Sequence, residues 1–248
     1  MKKHLLAGVV SVFGVMAFAV APAVATTVTP SGAAGVEFKA NLAATTSATF
    51  TPENGIFAAS ITCTVSHATG FTPSNTKPVA GPPFNNSNPS NVVPSKLAGG
   101  SVLTNLSSPS FETCSTPGVT TTTVTSNSTN GKWSLNLNVL NSAAAPWTTA
   151  AIGVPKAGAT ITLVAGANTC VLTVNPENAQ GVLGYYENGT ATTASTAFIN
   201  NQMFFAPTAA TKAVCEAILG AAGLESPAVF RATYKIATAA GEGVKESY

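Results

Sequence analysis

Few side chains in this sequence are suited to catalysis, and their surroundings limit what they could do. Aspartate is absent and all nine acidic residues are glutamate, which excludes aspartic-protease chemistry and any Asp-dependent triad. Glu177 and Glu187 could pair as the two carboxylates of a glycosidase. Each lies beside a turn sequence, however, because Asn175-Pro176 precedes Glu177 and Asn188-Gly189 follows Glu187. We therefore interpret both glutamates as turn residues.

His67 would have to act as the base of any catalytic site, because the one other histidine, His4, lies at the extreme N-terminus. It follows Ser66 in the polar run that ends a strand pattern, so a solvated surface histidine is the simpler interpretation. The sequence also lacks GxSxG, HExxH, a P-loop and a GxGxxG turn. We expect no enzymatic activity and no cofactor.

All four cysteines, Cys63, Cys114, Cys170 and Cys215, follow the N-terminal apolar segment. An even number of cysteines behind a secretion signal indicates two disulfides, for which three pairings exist. The sequential pairing is preferred, and it closes separations of 51 and 45 residues. Zinc or redox sites are disfavoured because no CxxC occurs, and we expect no bound metal.

The N-terminus has the three parts of a secretory signal peptide. Lys2-Lys3-His4 is its positive region, Leu5–Val20 its apolar core, and Ala23-Val24-Ala25 its small-residue cleavage pattern. We expect residues 1–25 to be removed before Thr26, and a secreted protein that is extracellular or attached to the cell surface. The alternative is a membrane anchor, although the apolar stretch is short for a span of about 20 residues. No later segment predicts a transmembrane helix.

Charged residues make up only 8% of the chain, far below the roughly 25% of ordinary soluble proteins. Removing Lys2 and Lys3 from the eleven basic residues leaves nine, against nine acidic ones, so the net charge is near zero. Copies of such a protein repel each other weakly, which favours self-association or deposition on a surface. The same balance excludes a basic nucleic-acid-binding face.

Alternation of apolar and polar residues dominates the chain, and a period of two is typical of half-buried strands. In Trp133–Val139 every odd position is apolar and every even one is polar. Similar or β-branched patterns cover residues 36–42, 57–65, 119–125, 161–174 and 230–236. One helix is expected over Ala213–Ala222, with Gly223 as its C-cap. The pattern predicts an all-β fold, an antiparallel Greek-key-like β-sandwich of about ten strands with two disulfides.

The segment at about residues 71–100 contains six prolines among asparagine and serine. Proline removes hydrogen-bond donors from a strand, so this segment is predicted to be a long exposed loop. It could link two domains. Because Cys63 and Cys114 flank it, we prefer a single domain over residues 26–248, in which a disulfide joins the two ends of this loop.

The last third of the chain combines a predicted hairpin with a cluster of aromatic residues. Asn188-Gly189 is a strong signal for a tight turn between strands at Val182–Glu187 and Thr190–Phe198. The aromatic residues of this region are Tyr185, Tyr186, Phe198, Phe204 and Phe205. They could form a face that binds a sugar or a hydrocarbon. Aromatic residues also pack well in β cores, and this simpler interpretation stays open beside the first.

Several short motifs follow one another in a recognisable order. They are Val28–Gly32, the cysteine-centred strand Ile61–Val65, Pro109–Cys114, Trp133–Leu137, a second cysteine strand at Cys170–Val174, and the aromatic strand Phe230–Tyr234. In order and spacing they resemble the alkane oxidation activator (PraB-like) family and similar uncharacterised secreted β proteins of actinobacteria. The resemblance implies an extracellular, non-enzymatic role connected with growth on alkanes and with biofilm matrix. It supplies no catalytic residues.

These observations predict a secreted, non-enzymatic structural or adhesive protein of the cell surface or biofilm matrix. Its partners would be matrix components or further copies added along exposed strand edges. One alternative is an extracellular binding module for hydrophobic ligands such as alkanes or lipids, with the late aromatic cluster lining a cleft. An outer-membrane β-barrel is less favoured, because the strands are mostly shorter than the roughly 9–11 residues of such spans. An enzyme, as a glycosidase, is the least favoured.

Overall fold

A computed structural model describes residues 27–29, 35–53, 59–72, 101–138, 147–220 and 226–247, which form fifteen strands and one helix. The first strands are β1 Thr27–Thr29, β2 Glu37–Leu42, β3 Ala48–Pro52, β4 Ile61–Phe71, β5 Ser101–Leu106, β6 Ser110–Ser115, β7 Thr121–Ser126 and β8 Trp133–Asn138. The later elements are β9 Trp147–Val154, β10 Ala159–Ala165, β11 Asn168–Val174, β12 Gln180–Glu187, β13 Ser195–Pro207, α1 Lys212–Leu219, β14 Ser226–Thr238 and β15 Lys245–Ser247.

The all-β prediction with antiparallel strands is confirmed, since every strand pairing is antiparallel. The described residues form fifteen strands rather than about ten. The difference comes from short strands such as β1, β3 and β15, which have three to five residues each and show too little alternation to be recognised. The Greek-key-like sandwich arrangement stays a prediction.

Alternation places one face of each strand in the core, as β14 shows. Phe230, Tyr234 and Ile236 are buried, whereas Arg231 and Lys235 between them are exposed. Successive side chains of a strand point to opposite faces, so the polar residues of the pattern face solvent. The strand predicted over residues 230–236 is therefore confirmed.

Thirteen strands, β2 to β14, belong to one hydrogen-bonded sheet, and β1 and β15 form a separate two-stranded ribbon. In the large sheet, β13, β14, the consecutive strands β2 and β3, and β4 lie side by side. From β4 to β13 the pairing continues along two further routes, β5–β8–β9–β12 and β6–β7–β10–β11. Each of the thirteen strands therefore has at least two neighbours, although β5 meets β4, and β7 meets β6, at a single residue pair.

This pairing pattern limits the exposed strand edges that the proposed strand addition would use. An edge strand offers unpaired N–H and C=O groups to another chain. Among the described residues, the large sheet has no strand with a neighbour on one side only. Free edges remain on the three-residue strands β1 and β15, and along Ser101–Asn105 of β5, which pair with β8 only.

The sheet forks at β4 and at β13 because these strands are longer than the neighbours they meet. Along one side of β13, residues Thr196–Ile199 pair with the C-terminal part of β12 and residues Phe205–Pro207 pair with β11. Residues 200–204, which lie between, pair with β14 only. The fork therefore leaves an opening on that side of β13.

Four phenylalanines meet in the core and connect the strands around the fork. The Phe50 ring centroid lies 4.8 Å from that of Phe230, 5.4 Å from that of Phe111 and 5.9 Å from that of Phe205. All four side chains are buried. Aromatic pairs at such distances contribute about 0.5–1.5 kcal/mol each beyond the area they bury.

Both preferred disulfides are confirmed. Cys63 and Cys114 occupy directly opposed positions of β4 and β6, with an Sγ–Sγ distance of 2.06 Å. Cys170 of β11 bonds to Cys215 of α1 at 2.11 Å. Two disulfides are compatible with an oxidising, extracellular compartment.

The helix ends earlier than predicted. It covers Lys212–Leu219, and Gly220 caps it in the left-handed conformation with φ 66°. Glycine adopts this conformation without steric cost, and its N–H donates to the Glu216 carbonyl. The predicted end at Ala222 and the predicted cap Gly223 lie outside the described residues.

The predicted tight turn at Asn188-Gly189 is wrong, although the hairpin itself is present. Glu187 of β12 lies opposite Thr196 of β13, so the loop covers residues 188–194. The turn falls later, where the N–H of Thr190 donates to the Thr193 carbonyl at 3.0 Å. Gly189 instead packs against the returning strand, and its N–H donates to Ser195 Oγ at 2.8 Å.

Two predicted segments lie outside the described residues: the signal peptide at 1–25, and most of the proline-rich loop. Of that loop, Phe71 is the last residue of β4, and the chain is described again from Ser101. Strands on both sides of this segment belong to the same sheet, and the single domain over residues 26–248 stays a prediction. The one helix in the described part of the chain is too short to cross a membrane.

Candidate functional site

The structure separates the two glutamates that could have formed a glycosidase pair. Glu187 ends β12, and Glu177 lies in the turn before β12 begins at Gln180. An eight-residue strand is about 23 Å long at roughly 3.3 Å per residue step. Glycosidase carboxylates lie roughly 5–10 Å apart, so these two cannot act together.

His67 is exposed on β4, where its Nδ1 lies 2.7 Å from the hydroxyl oxygen of Ser110 on β6. No carboxylate accepts a hydrogen bond from this imidazole in the described part of the chain, so a charge-orienting triad is not formed there. The described residues also contain no group of three histidine, cysteine or acidic side chains that could hold a metal ion.

The five aromatic residues of the predicted ligand face occupy three different places. Tyr186 and Phe205 are core residues, 1% and 2% exposed. The hydroxyl of Tyr186 donates to the Val244 carbonyl, and Phe205 belongs to the phenylalanine cluster. The alternation of strands explains this, because Tyr185 and Tyr186 are adjacent and must point to opposite faces.

Tyr185, which is exposed, and Phe198, which is half-buried, form a pair on the outer surface. They lie directly opposite each other on β12 and β13, and their rings stack at a centroid distance of 4.5 Å. Tyr185 is 42% exposed. Phe204, six residues beyond Phe198 on the same face of β13, is half-buried and contributes to a separate cleft.

The core also contains a small apolar cavity of about 30 Å³, lined by residues that include Trp133, Leu135 and Tyr234. An apolar cavity that binds a molecule as small as benzene has a volume of about 150 Å³, so this cavity is too small for an alkane. The Tyr234 hydroxyl lies 2.9 Å from Ser66 Oγ. Burial raises the pKa of Tyr234 to about 12, and the hydrogen bond with Ser66 opposes this in part.

The outward face of β7, β10 and β11 carries nine side chains that are all threonine or valine. In its middle row, Thr123 lies opposite Thr162, which lies opposite Val171. We call the threonine–valine face the three rows Thr121, Val164, Thr169; Thr123, Thr162, Val171; and Thr125, Thr160, Thr173. All nine side chains are at least partly exposed.

The threonine–valine face is uncharged and regular. Its rows repeat at about 6.7 Å along each strand, and its strands are about 4.8 Å apart. In the described part of the chain, none of its hydroxyls bonds to another protein group. The face therefore offers an array of free hydroxyl and methyl groups to a partner.

A cleft of about 390 Å³ opens at the fork of β13. Its walls are the β11–β12 turn with Asn175 and Glu177, Gln180 at the start of β12, and residues 204–206 of β13. Ala206 lies directly opposite Thr173, so the cleft adjoins a corner of the threonine–valine face.

Asn175 replaces the strand that is missing at the fork. Its N–H donates to the Phe204 carbonyl at 2.8 Å, and its Oδ1 accepts the Phe204 N–H at 3.2 Å. Gln180 Oε1 accepts the same N–H at 3.3 Å. Asn175 has φ 53°, a left-handed conformation that asparagine tolerates better than most residues.

The side-chain amide of Asn175 is buried but only half satisfied. Asn175 is 1% exposed, and its Nδ2 has no acceptor within the described residues. A buried donor without an acceptor costs about 1–3 kcal/mol. A ligand oxygen would stabilise this donor if a small shift of the cleft wall exposed it.

Sequence reasoning missed both the threonine–valine face and the cleft. The threonine-rich run at 119–125 was recognised as a strand, but its partners at Thr160 and Thr173 are far away in the chain, and only the register aligns them. The sequence also indicates a turn at Asn175-Pro176. The one signal that could have pointed to the cleft is the position of this turn between two strand patterns.

The face and the cleft together present hydroxyl, methyl and amide groups, one carboxylate and one half-buried ring. This set can bind a neutral polar partner by hydrogen bonds and apolar contact. It contains no nucleophile paired with a base. The resemblance to alkane oxidation activators stays a prediction, because no family model, curated protein or solved structure matches this chain.

Proposed function

We propose that this chain is a secreted, non-enzymatic structural or adhesive protein of the cell surface or biofilm matrix. The observation that carries the proposal is the threonine–valine face, nine uncharged side chains on three adjacent strands. Contact with a charged face would require the desolvation of ions, which is costly. A face of hydroxyls and methyls avoids that cost and finds hydrogen-bond partners on any hydroxyl-rich surface.

The scaffold beneath this face suits an extracellular support. Two disulfides connect β4 to β6 and β11 to α1, and each strand of the thirteen-stranded sheet has at least two neighbours. Since most strand edges are paired, we expect association with a partner through the faces of the sheet. The link with growth on hydrocarbons rests on the family resemblance alone.

The proposal is tested by placing charge on the face. The double variant Thr123→Glu/Thr162→Glu puts two carboxylates at directly opposed positions of β7 and β10. We expect the wild-type protein to be retained on cells or matrix, and the variant to be released into the medium at least tenfold more. Both side chains are outward-facing, so far-UV circular dichroism should remain unchanged.

The matched control places the same two charges elsewhere on the outer surface. Thr64 of β4 and Ser115 of β6 are both exposed, and the variant Thr64→Glu/Ser115→Glu should be retained as the wild type is. Equal retention of the face variant and the wild type would contradict the proposal. So would a wild-type protein that stays monomeric and entirely in the medium.

A hydrophobic-ligand module is the second candidate, and the Tyr185–Phe198 pair at the surface is the observation that favours it. The apolar cavity of about 30 Å³ in the core gives it no further support. Saturable binding of hexadecane or a fatty acid, weakened by Tyr185→Ala, would establish this candidate. Absence of such binding to the oxidised full chain would end it.

A further inference from the structure

We infer that the cleft at the fork of β13 binds one uncharged sugar unit, and that the partner of the threonine–valine face is a neutral polysaccharide. This inference rests on the proposed adhesive function and names its partner. Four features of the cleft support it: its size, its aromatic wall, its mixture of donors and acceptors, and its position beside the face.

The size and the wall of the cleft suit a ring-shaped polar molecule. A volume of about 390 Å³ lies within the range of roughly 300–1,000 Å³ that small-molecule sites have. Phe204, half-buried, forms part of the wall. A pyranose ring has an apolar face of C–H groups, which packs on an aromatic side chain, and hydroxyls at its rim.

Those hydroxyls match the polar groups of the cleft. Each sugar hydroxyl can donate one hydrogen bond and accept others, as a serine hydroxyl does. The Asn175 Nδ2 donor lacks an acceptor and is covered at the wall of the cleft, so a sugar oxygen would supply one after a small shift of that wall. The amides of Asn178 and Gln180 and the carboxylate of Glu177 also line the cleft, so both donors and acceptors are present.

The charges around the cleft exclude an acidic sugar as the best ligand. No lysine, arginine or histidine is among the described residues that line it, and Glu177 is its one ionisable side chain. A uronic acid or a phosphorylated sugar would be repelled by this carboxylate and would find no cation to pair with. An uncharged sugar can instead donate its hydroxyl protons to Glu177.

The position of the cleft extends the site from one sugar to a chain. Ala206 at the cleft lies opposite Thr173, the corner of the threonine–valine face. A polysaccharide with one unit in the cleft would continue over the hydroxyl rows of the face. Oligosaccharides should therefore bind more tightly than the monosaccharide they are built from.

The experiment uses the oxidised full chain and ligand-observed NMR followed by calorimetry. The probes are glucose, galactose, mannose and N-acetylglucosamine, their linear tetramers, and glucuronate and hexylamine as charged probes. We expect saturable binding of at least one uncharged sugar, with its tetramer bound at least tenfold more tightly. Glucuronate and hexylamine should bind at least tenfold more weakly than that sugar.

Two cleft variants and two controls locate the site. Phe204→Leu removes the ring and Glu177→Gln removes the charged acceptor, and each should weaken sugar binding at least tenfold. Because Glu177 is exposed, we expect Glu177→Gln to fold as the wild type does. It therefore tests the site even if Phe204→Leu disturbs the fold. Tyr185→Leu removes another aromatic ring and Glu187→Gln another carboxylate, both outside the cleft, and each should leave the affinity within twofold.

Three results would overturn the inference: no sugar in the panel saturates, neither cleft variant weakens binding, or a charged probe binds best. These outcomes are distinct from a failure of the proposed function. If sugars do not bind but retention still depends on Thr123 and Thr162, the adhesive function stands and the sugar inference is wrong. If a sugar binds in the cleft but the protein is never retained, the cleft assignment stands and the adhesive function is wrong.

Discussion

Removal of each disulfide separately should destabilise the protein by amounts that can be worked out from its position. In the chain-entropy model a disulfide stabilises the folded state by restricting the unfolded one, in proportion to the logarithm of the loop it closes. The loops here span 51 and 45 residues. For both, the model gives about 4 kcal/mol, so the free energy of unfolding should fall by about that amount in Cys63→Ala/Cys114→Ala and in Cys170→Ala/Cys215→Ala.

The native surroundings of the two disulfides then separate the variants. Cys63 and Cys114 lie on strands that remain paired with each other and with further neighbours. The helix α1 has only eight residues and two buried side chains, Cys215 and Leu219, and an isolated helix of that length is unstable in water. The Cys170/Cys215 variant should therefore lose about 1–2 kcal/mol more than the other, at the level of one poorly packed buried group.

Urea unfolding followed by far-UV circular dichroism measures both losses of free energy. Thermal unfolding measures them independently, because at roughly 2–4 °C per kcal/mol for a chain of this size a loss of about 4 kcal/mol lowers Tm by roughly 8–16 °C. The m value should rise in both variants, because an unfolded chain without the cross-link exposes more surface. A loss below about 1 kcal/mol with an unchanged m value would refute the entropic reasoning. A larger loss in the Cys63/Cys114 variant would refute the account of the helix.

Three further predictions follow from single side chains. The pKa of Tyr234 is raised to about 12, so the unfolded state loses this proton at lower pH than the folded state does. The free energy of unfolding is therefore unaffected below pH 10 and falls by up to about 3 kcal/mol as the pH approaches 12. In urea unfolding, Tyr234→Phe should lack this part of the alkaline loss, and a pH profile identical to that of the wild type would contradict the reasoning. Gly184→Ala should lower the free energy of unfolding by about 3 kcal/mol or more, because the new Cβ would lie 1.9 Å from the Phe198 carbonyl oxygen. An unchanged Tm in thermal unfolding would show that β12 and β13 can separate there freely. Tyr185→Leu should lower the free energy of unfolding in urea by only about 1 kcal/mol, since it removes a ring stack at the surface. A loss above about 3 kcal/mol would mean that this pair is part of the core.

The parts of the fold that the sequence predicted are those controlled by local pattern. The alternation in Trp133–Val139 and in residues 230–236 identified β8 and β14, because burial of one face requires a period of two. The preferred sequential pairing of the cysteines was also confirmed. The fork was not, since it depends on β4 and β13 exceeding their partners in length, which no local pattern reports.

The candidate site shows the same division between local and long-range information. Tyr185-Tyr186 and Phe204-Phe205 are adjacent pairs, so strand alternation alone implies that they cannot share one face. The threonine–valine face needed the register that sets Thr125 against Thr160. Asn188-Gly189 resembled a two-residue turn because that dipeptide favours positive φ, but packing of Gly189 against the returning strand decided the loop length.

Asn175 offers the sharpest separation of structural and functional roles at the cleft. Glycine at this position can adopt the φ of 53° that Asn175 has without steric cost. It also removes a buried donor that lacks an acceptor, which should raise the free energy of unfolding by about 1–3 kcal/mol. The loss of the Oδ1 acceptor is limited, because Gln180 Oε1 still accepts the Phe204 N–H, and the added freedom of the unfolded chain costs about 0.5–1 kcal/mol. Asn175→Gly should therefore unfold within about 1 kcal/mol of the wild type and bind sugar at least tenfold more weakly. Loss of stability with retained sugar binding would instead make Asn175 a purely structural residue, which tolerates an unsatisfied amide only to close the fork.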